Sequence, residues 1–498
     1  MPRLSEFLAQ QMGLHFPAER WPDLARGIDA AALEFRFPDA ASCIQWLLSA
    51  PLSRSQVEIL SSHLTVGETY FFREPQVFDV LQTHILPALI QSRRQSGQHL
   101  RLWSAGCASG EEAYSLAILL QRLLPDFRQW NISILATDIN PHALQKAAAG
   151  IYGDWSFRNA PPWLREGYFR AIAGGRYEIA PAVRDMVTFS YLNLAADVYP
   201  SLLNNTNAMD LIFCRNVLMY FEPGLAAEVA RRHSLALVDG GWLVVSPAEI
   251  SQALFAPFAT INFPGVILHR KSAARAKPLA EPSAVPAPLA GHPWRPSPAL
   301  AATAEPGMLA AAPAARQAAL PKQEPATATY PQAFALYCQG RYAEAASETT
   351  KLLALQPNDA EAMTLMARIH ANQGELAAAL QWCEQTIAAD RLNPVGHFLL
   401  AAILQEQGRM EEAMVLFKRT LYLDQDFVLA HFALGNLHLA QGNRRETRRH
   451  LNNALELVRK LPQDEILPEA DGLNAGRLAE IITSVMASLP QPVHEITA

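Results

Sequence analysis

The chain has 498 residues, half of them hydrophobic, and a net charge of −6. That length suits about three domains with sizeable cores. The acidic balance excludes a global positive field for nucleic acid or an anionic membrane. Five scattered cysteines without a CxxC pair argue against a disulfide framework and against a zinc site, so reduced thiols and no metal are expected.

The opening "MPRLSEFLAQQMGLHF" lacks a basic region followed by an apolar one, so it does not read as a secretion signal. No run of about 20 apolar residues follows anywhere, and membrane insertion is not expected. A cytoplasmic location is the expectation. Residues 1–62 carry helical patches, "LSEFLAQQMG", "ASCIQWLLSA" and "SRSQVEILSSHL", with Ser53 placed as a helix cap. They read as an N-terminal helical domain. Next comes "LTVGETYFFRE", Leu64 to Glu74, a bulky aromatic run set against charges, with no helical or strand period.

From Leu100 to Lys271 short apolar strands alternate with helices. The strands are "LRLWSAG", "ISILATD", "VTFSYLNL", "DLIFCRNVL", "GGWLVVSPAE" and "GVILHRK"; the helices include "EEAYSLAILLQRLL" and "PHALQKAAAGIY". Such alternation predicts a doubly wound α/β sheet over residues 63–271, with a ligand crevice at the C-terminal strand ends. Polar residues stand where that crevice should be. The first strand runs into "SAGCASGEE", where Gly106 and Gly110 permit a tight turn. Its spacing is neither GxGxxG nor GxxxxGK[ST], and two carboxylates at the helix start oppose a phosphate. Asp138 closes the second strand, where an acid can accept hydrogen bonds from a ribose diol; Asn140 is the better cap for the helix that follows. Asn193 ends the third strand, and Arg215 and Asn216 follow the fourth. S-adenosylmethionine, with an ammonium, a sulfonium, a ribose and an adenine but no phosphate, suits this set. Helix-dipole stabilisation and satisfied strand-end turns are the alternatives for single residues.

Residues 272–329 collapse to alanine and proline, with eleven of the 35 prolines, and read as a disordered linker. Beyond it, Gly340, Gly374, Gly408 and Gly442 recur every 34 residues, each followed five residues later by Ala345, Ala379, Ala413 or Thr447. This period resembles the tetratricopeptide repeat over residues 330–462, an all-α array that binds a protein partner or packs on the rest of the chain. Tyr342 and Phe417 are predicted packing residues. Residues 463–498 form a tail with room for one capping helix between Leu473 and Leu489.

The ordered stretches "LTVGETYFFRE", "WSAGCASGEEAYSLAI", "ATDIN", "LNL" and "FCRNVLMYF" resemble the CheR family of chemoreceptor glutamate methyltransferases across residues 1–271. The resemblance implies a Rossmann-like fold and an enzyme that moves a methyl group from S-adenosylmethionine to receptor glutamates, releasing S-adenosylhomocysteine. It implies donor contacts at Thr69, Arg73, Glu112, Asp138, Asn193, Leu194, Arg215 and Asn216. Gly67 stands where many members have asparagine. It also implies a small β-subdomain near Tyr152 to Asp185. The appended repeats make the architecture similar to the WspC type, which serves surface-sensing pathways that control biofilm formation. The expected partners are the cytoplasmic helical bundle of a methyl-accepting chemoreceptor and an unidentified protein on the repeats, with recruitment to membrane receptor clusters. A glutamate of pKa near 4.3 is roughly 99.8% ionised at pH 7 and needs no general base. Arg73 is the candidate for orienting it in the catalytic step, with Tyr220 beside it or simply packed. A catalytically weak scaffold is the alternative function; net acidity disfavours an RNA methyltransferase.

Overall fold

The computed structural model describes residues 1–94, 97–196, 199–202, 204–272, 329–470 and 473–489. Apart from its two end residues, the expected linker lies outside the described residues.

Four helices, Pro2–Met12, Trp21–Glu34, Ala40–Leu47 and Arg54–Leu64, come first. Leu4, Leu8, Leu24, Ile28, Cys43, Leu47 and Leu60 recur at helical spacing and close one apolar core. Ser53 caps the fourth helix through a reciprocal capping box with Gln56.

Among the described residues ten strands follow: β1 (His99–Ala105), β2 (Asn131–Asp138), β3 (Ile151–Tyr152), β4 (Phe169–Ile172), β5 (Arg176–Ile179), β6 (Val187–Tyr191), β7 (Met209–Phe213), β8 (Leu237–Val244), β9 (Phe258–Phe263) and β10 (Val266–Lys271). Seven form a sheet in the order β6-β2-β1-β7-β8-β10-β9. The first five in that order run parallel; β10 runs antiparallel to both β8 and β9. Strand order reverses between β1 and β7, which opens a crevice beyond their C-terminal ends. The other three strands form a small antiparallel sheet, β3-β5-β4, inside the stretch where a β-subdomain was expected.

Three details differ from the sequence reading. The helix starting at Pro141 ends at Ala149, because Gly150 takes a left-handed φ of 64° and Ile151–Tyr152 pair with β5 instead. Strand β6 stops at Tyr191, so Asn193 belongs to the following loop rather than to the strand end. Strand β9, at the sheet edge, was not foreseen.

"LTVGETYFFRE" leaves the fourth helix and pins the small sheet to the large one. Phe71 packs against Tyr152, Phe157 and Phe169 with ring centroids 5.0, 5.1 and 5.0 Å apart. Phe72 turns to Phe78 and Trp163. Two consecutive buried rings in one core, flanked by half-buried polar residues, account for the absence of any regular period.

Residues 330–458 form four antiparallel helix pairs, Tyr330–Cys338 with Tyr342–Leu355, Ala360–Asn372 with Leu376–Ala389, Pro394–Glu406 with Met410–Leu423, and Val428–Ala440 with Arg444–Val458; Ala475–Ser488 follows. Ala345, Ala379, Ala413 and Thr447 are fully buried where the helices approach, and Tyr342 and Phe417 are buried as expected. The first three glycine turns of the array face the α/β layer. A Cβ on Gly340 (φ 72°) would lie 1.9 Å from Leu235, and one on Gly374 would lie 3.1 Å from Val238. Asn131 at the start of β2 donates from Nδ2 to the Glu406 carbonyl at 2.8 Å. Arg101 of β1 pairs with the Glu406 carboxylate at 3.5 Å, with both side chains under 5% exposed. The array therefore packs on the N-terminal strand ends, opposite the crevice. Farther along, Arg477 lies over one side of the Tyr191 ring system at 5.3 Å, and Arg54 lies over the same ring at 4.3 Å.

Candidate functional site

A cavity with about 800 Å³ of space, counted out to open solvent, occupies the crevice between the helical unit and the sheet. Its floor comes from the loops after β1, β2, β6 and β7: Gly106, Ala108, Asp138, Asn193, Leu194, Asn216 and Val217. Its roof comes from the N-terminal helices and their connections, with Met12, Leu14, Phe16, Arg20 and Leu64. Gly67 and Tyr220 stand at its walls.

Local chemistry fixes each floor residue. Gly106 has φ 84° and a Cβ there would strike Val217 at 2.4 Å, so the turn after β1 requires glycine. Asp138 ties the first loop to the second. Its Oδ2 accepts from the Ala108 N–H and its Oδ1 from the Asn140 N–H, both at 2.8 Å. Burial raises its pKa, against the pull of those N–H groups. Asn140 caps the next helix by accepting from the Ala143 N–H. Asn193 Oδ1 accepts from the Ala195 N–H at 2.9 Å. Asn216 sits at φ 58°, and its Oδ1 is buried without a hydrogen-bond partner among the described residues.

A second cluster lies behind the loop after β1. Glu112 Oε1 accepts from Ser104 Oγ at 2.7 Å, and its Oε2 lies 3.4 Å from Arg215 Nη1. Burial raises the Glu112 pKa while Arg215 opposes the shift. Arg215 also donates to the Arg73 carbonyl at 3.0 Å and pairs with Glu74 at 2.8 Å. Half-buried Thr69 and Arg73 belong to this side; the Arg73 guanidinium donates to the Glu68 carbonyl at 3.2 Å.

The structure thus gathers Asp138, Asn193, Leu194, Asn216 and Tyr220 around the cavity. It places Glu112 and Arg215, with the Arg73 backbone, in the adjoining charged cluster. Thr69 and Arg73 do not line the cavity, although donor contacts were expected of both: Phe71 turns their segment toward the small sheet. Glu111 is a structural carboxylate, accepting from Ser109 Oγ and Ser156 Oγ at 2.7 and 2.8 Å. Tyr220 both lines the cavity and packs against the helical core, with Arg20 at 5.1 Å over its ring.

Sequence reasoning missed Glu249. This buried carboxylate accepts from the backbone N–H groups of Asn216, Val217 and Met219 at 2.8, 2.7 and 3.3 Å and thereby holds the loop after β7. Its signal was the S-x-x-E spacing of Ser246 and Glu249, which form a capping box.

Residues 67–262 match the family described as "CheR methyltransferase, SAM binding domain". The chain is 34% identical over 206 residues to a "Probable chemotaxis protein methyltransferase" of Rhizobium etli, covering 41% of this chain and 75% of that protein. The chain belongs to the CheR family. A "Chemotaxis protein methyltransferase 1" of Pseudomonas aeruginosa is similar at 34% identity, with 43% of this chain and 77% of that protein covered. A "Chemotaxis protein methyltransferase 2" of Vibrio cholerae is 34% identical over 45% of this chain and 75% of its own length. Residues 336–403 match "Tetratricopeptide repeat". This CheR-family chain is an S-adenosylmethionine-dependent methyltransferase with tetratricopeptide repeats. Among the described residues no helix is long and apolar enough to cross a membrane.

The cavity fits the donor. It offers a carboxylate, two side-chain amides and an orphaned amide oxygen, and among its lining residues the positive charge of Arg20 stands on the roof rather than on the floor. A cationic, phosphate-free ligand with a diol suits such a floor.

Proposed function

We propose that this CheR-family enzyme methylates glutamate side chains on the cytoplasmic helical bundle of a chemoreceptor-like protein. The cavity carries the reading: hydrogen-bond acceptors for a ribose and an ammonium group converge on one end of the β1–β7 switch point. Asp138 would hold the ribose diol through the lone pairs its two backbone contacts leave free. Asn193, the Leu194 backbone and Asn216 would hold the remaining polar groups, and the helical roof would exclude water. Glu112 and Arg215 would stiffen the loop that bears Gly106. The proposed boundaries are a helical unit over 1–62, the donor-binding unit over 63–271 and the repeats over 330–462.

Bound S-adenosylmethionine supplies an electrophilic methyl group on a sulfonium. A receptor carboxylate oxygen takes that methyl, giving a methyl ester and S-adenosylhomocysteine. The chain's own contribution is alignment, which can lower the barrier by about 7–11 kcal/mol. Arg73, beside the charged cluster, orients the incoming carboxylate. It must do so loosely, because a tight ion pair would quench the nucleophile. The family relatives named for chemotaxis support a receptor substrate, and the repeats support recruitment of a protein partner in the cytoplasm, as in surface-sensing pathways that regulate biofilm formation.

The test is incubation of the purified chain with radiolabelled donor and receptor cytoplasmic fragments. Base-labile label on receptor glutamates is expected. Donor binding without label on any receptor fragment would leave a scaffold.

A further inference from the structure

We propose that the last helix pair of the repeat array carries a divalent transition-metal site of zinc type, held by His438, Glu446 and His450. His438 lies on Val428–Ala440; Glu446 and His450 lie one turn apart on the facing helix Arg444–Val458. One ligand atom from each of the three lies within 4.8 Å of the others. His438 and His450 are 6% and 4% exposed. His438 Nδ1 is buried without a hydrogen-bond partner among the described residues.

The hydrogen bonds behind the cluster set the tautomers. His431 Nε2 lies 3.2 Å from the Gln425 carbonyl, which can only accept, so that nitrogen carries the proton. Neutral His431 then presents Nδ1 as an acceptor. His450 Nδ1 lies 3.0 Å from it and must donate. His450 Nε2 is left with a bare lone pair, 4.0 Å from Glu446 Oε2. A carbonyl–imidazole–imidazole chain of this kind is how a metal-bound histidine is oriented from behind.

Two imidazoles and one carboxylate suit Zn²⁺ with a fourth position open to water. Donors around a tetrahedral zinc stand roughly 3.3 Å apart, so the three side chains must draw in by about an ångström. Arg449 now donates to Glu446 Oε2 at 2.9 Å, but that arginine is 63% exposed and free to swing away. Sequence spacing hid the set because its members come from two helices across a glycine turn.

The experiment uses the full chain, stripped with chelator and dialysed, titrated with Zn²⁺ by calorimetry and with Co²⁺ by visible absorption. One equivalent is expected, with the intense absorption of four-coordinate Co²⁺ and a raised thermal midpoint. Glu446→Gln, at a partly exposed side chain, should weaken binding at least tenfold with unchanged far-ultraviolet circular dichroism. His431→Leu should weaken it about tenfold through loss of the orienting hydrogen bond, and His438→Ala should abolish it. Binding of equal strength in Glu446→Gln and His438→Ala, or no stoichiometric binding by the parent chain, overturns the site.

Discussion

Gly67 stands at the cavity wall with nothing within 4 Å of the place a Cβ would occupy. An asparagine there meets no steric penalty and could add one hydrogen bond, worth about 0.5–1.5 kcal/mol. Gly67→Asn should therefore tighten donor binding by up to about tenfold, measured by calorimetry with S-adenosylhomocysteine; an unchanged Kd would show that the backbone already serves. Arg73 is exposed enough to meet a second protein, and Arg73→Ala should cut turnover at least about tenfold, or roughly 1.4 kcal/mol, while donor affinity holds. Equal loss of donor binding would move Arg73 from orienting the receptor carboxylate to holding the loop. At this scale the sequence was readable where a polar residue stands at or just past a strand end, as at Asp138 and Asn216. It was less readable at Thr69 and Arg73, because the turn of their segment depends on rings of the small sheet far along the chain. Glu249 was obscured in the same way: its partners Asn216 and Val217 lie more than thirty residues earlier.

Elements hold those residues in place, and their removal is measurable. Glu249 fixes the whole turn after β7 through three backbone N–H groups. Glu249→Ala leaves them unpaired in a buried site and should destabilise the fold by about 3 kcal/mol. Chemical denaturation reads the loss, and donor affinity should fall with it because Asn216 loses its anchor. On β10, burial against Phe255 lowers the His269 pKa from 6.5 to about 4. The folded pKa is depressed, so the unfolded chain takes a proton first. The contribution to stability is complete above about pH 6.5 and is lost as pH falls toward 4. His269→Gln should flatten that part of the thermal midpoint profile; parallel profiles for variant and parent would mean that the ring is hydrated. The alternation of strands and helices was legible because each has its own apolar period. The antiparallel β9–β10 edge was not, since direction within a sheet leaves no mark on a short strand.

Across the whole molecule the repeats and the sheet share a buried ion pair. Burial raises the Glu406 pKa against the opposing charge of Arg101 and the Asn207 side chain beside it. Arg101 is better supplied, donating to the Asn205 and Asn207 carbonyls. Arg101→Met should thus cost about 3–5 kcal/mol by stranding the carboxylate, and adding Glu406→Met should recover much of it. A double-mutant cycle by denaturant titration checks the coupling; additive losses would show that the pair does not hold the two layers together. The 34-residue period made the array itself plain in the sequence. Its packing on the strand ends was invisible, because Arg101 and Glu406 carry no local pattern that pairs them.

Tyr191 lies between helices drawn from opposite stretches of the chain, under Arg54 and Arg477. It also stands two residues before Asn193 at the cavity floor. During synthesis the ribosome delivers the sheet, the donor cavity and Arg54 long before Arg477. Until that residue emerges, one of the two guanidinium contacts of the tyrosine is missing. A chain cut before Arg477 would keep the Arg54 contact of this ring and lose the other.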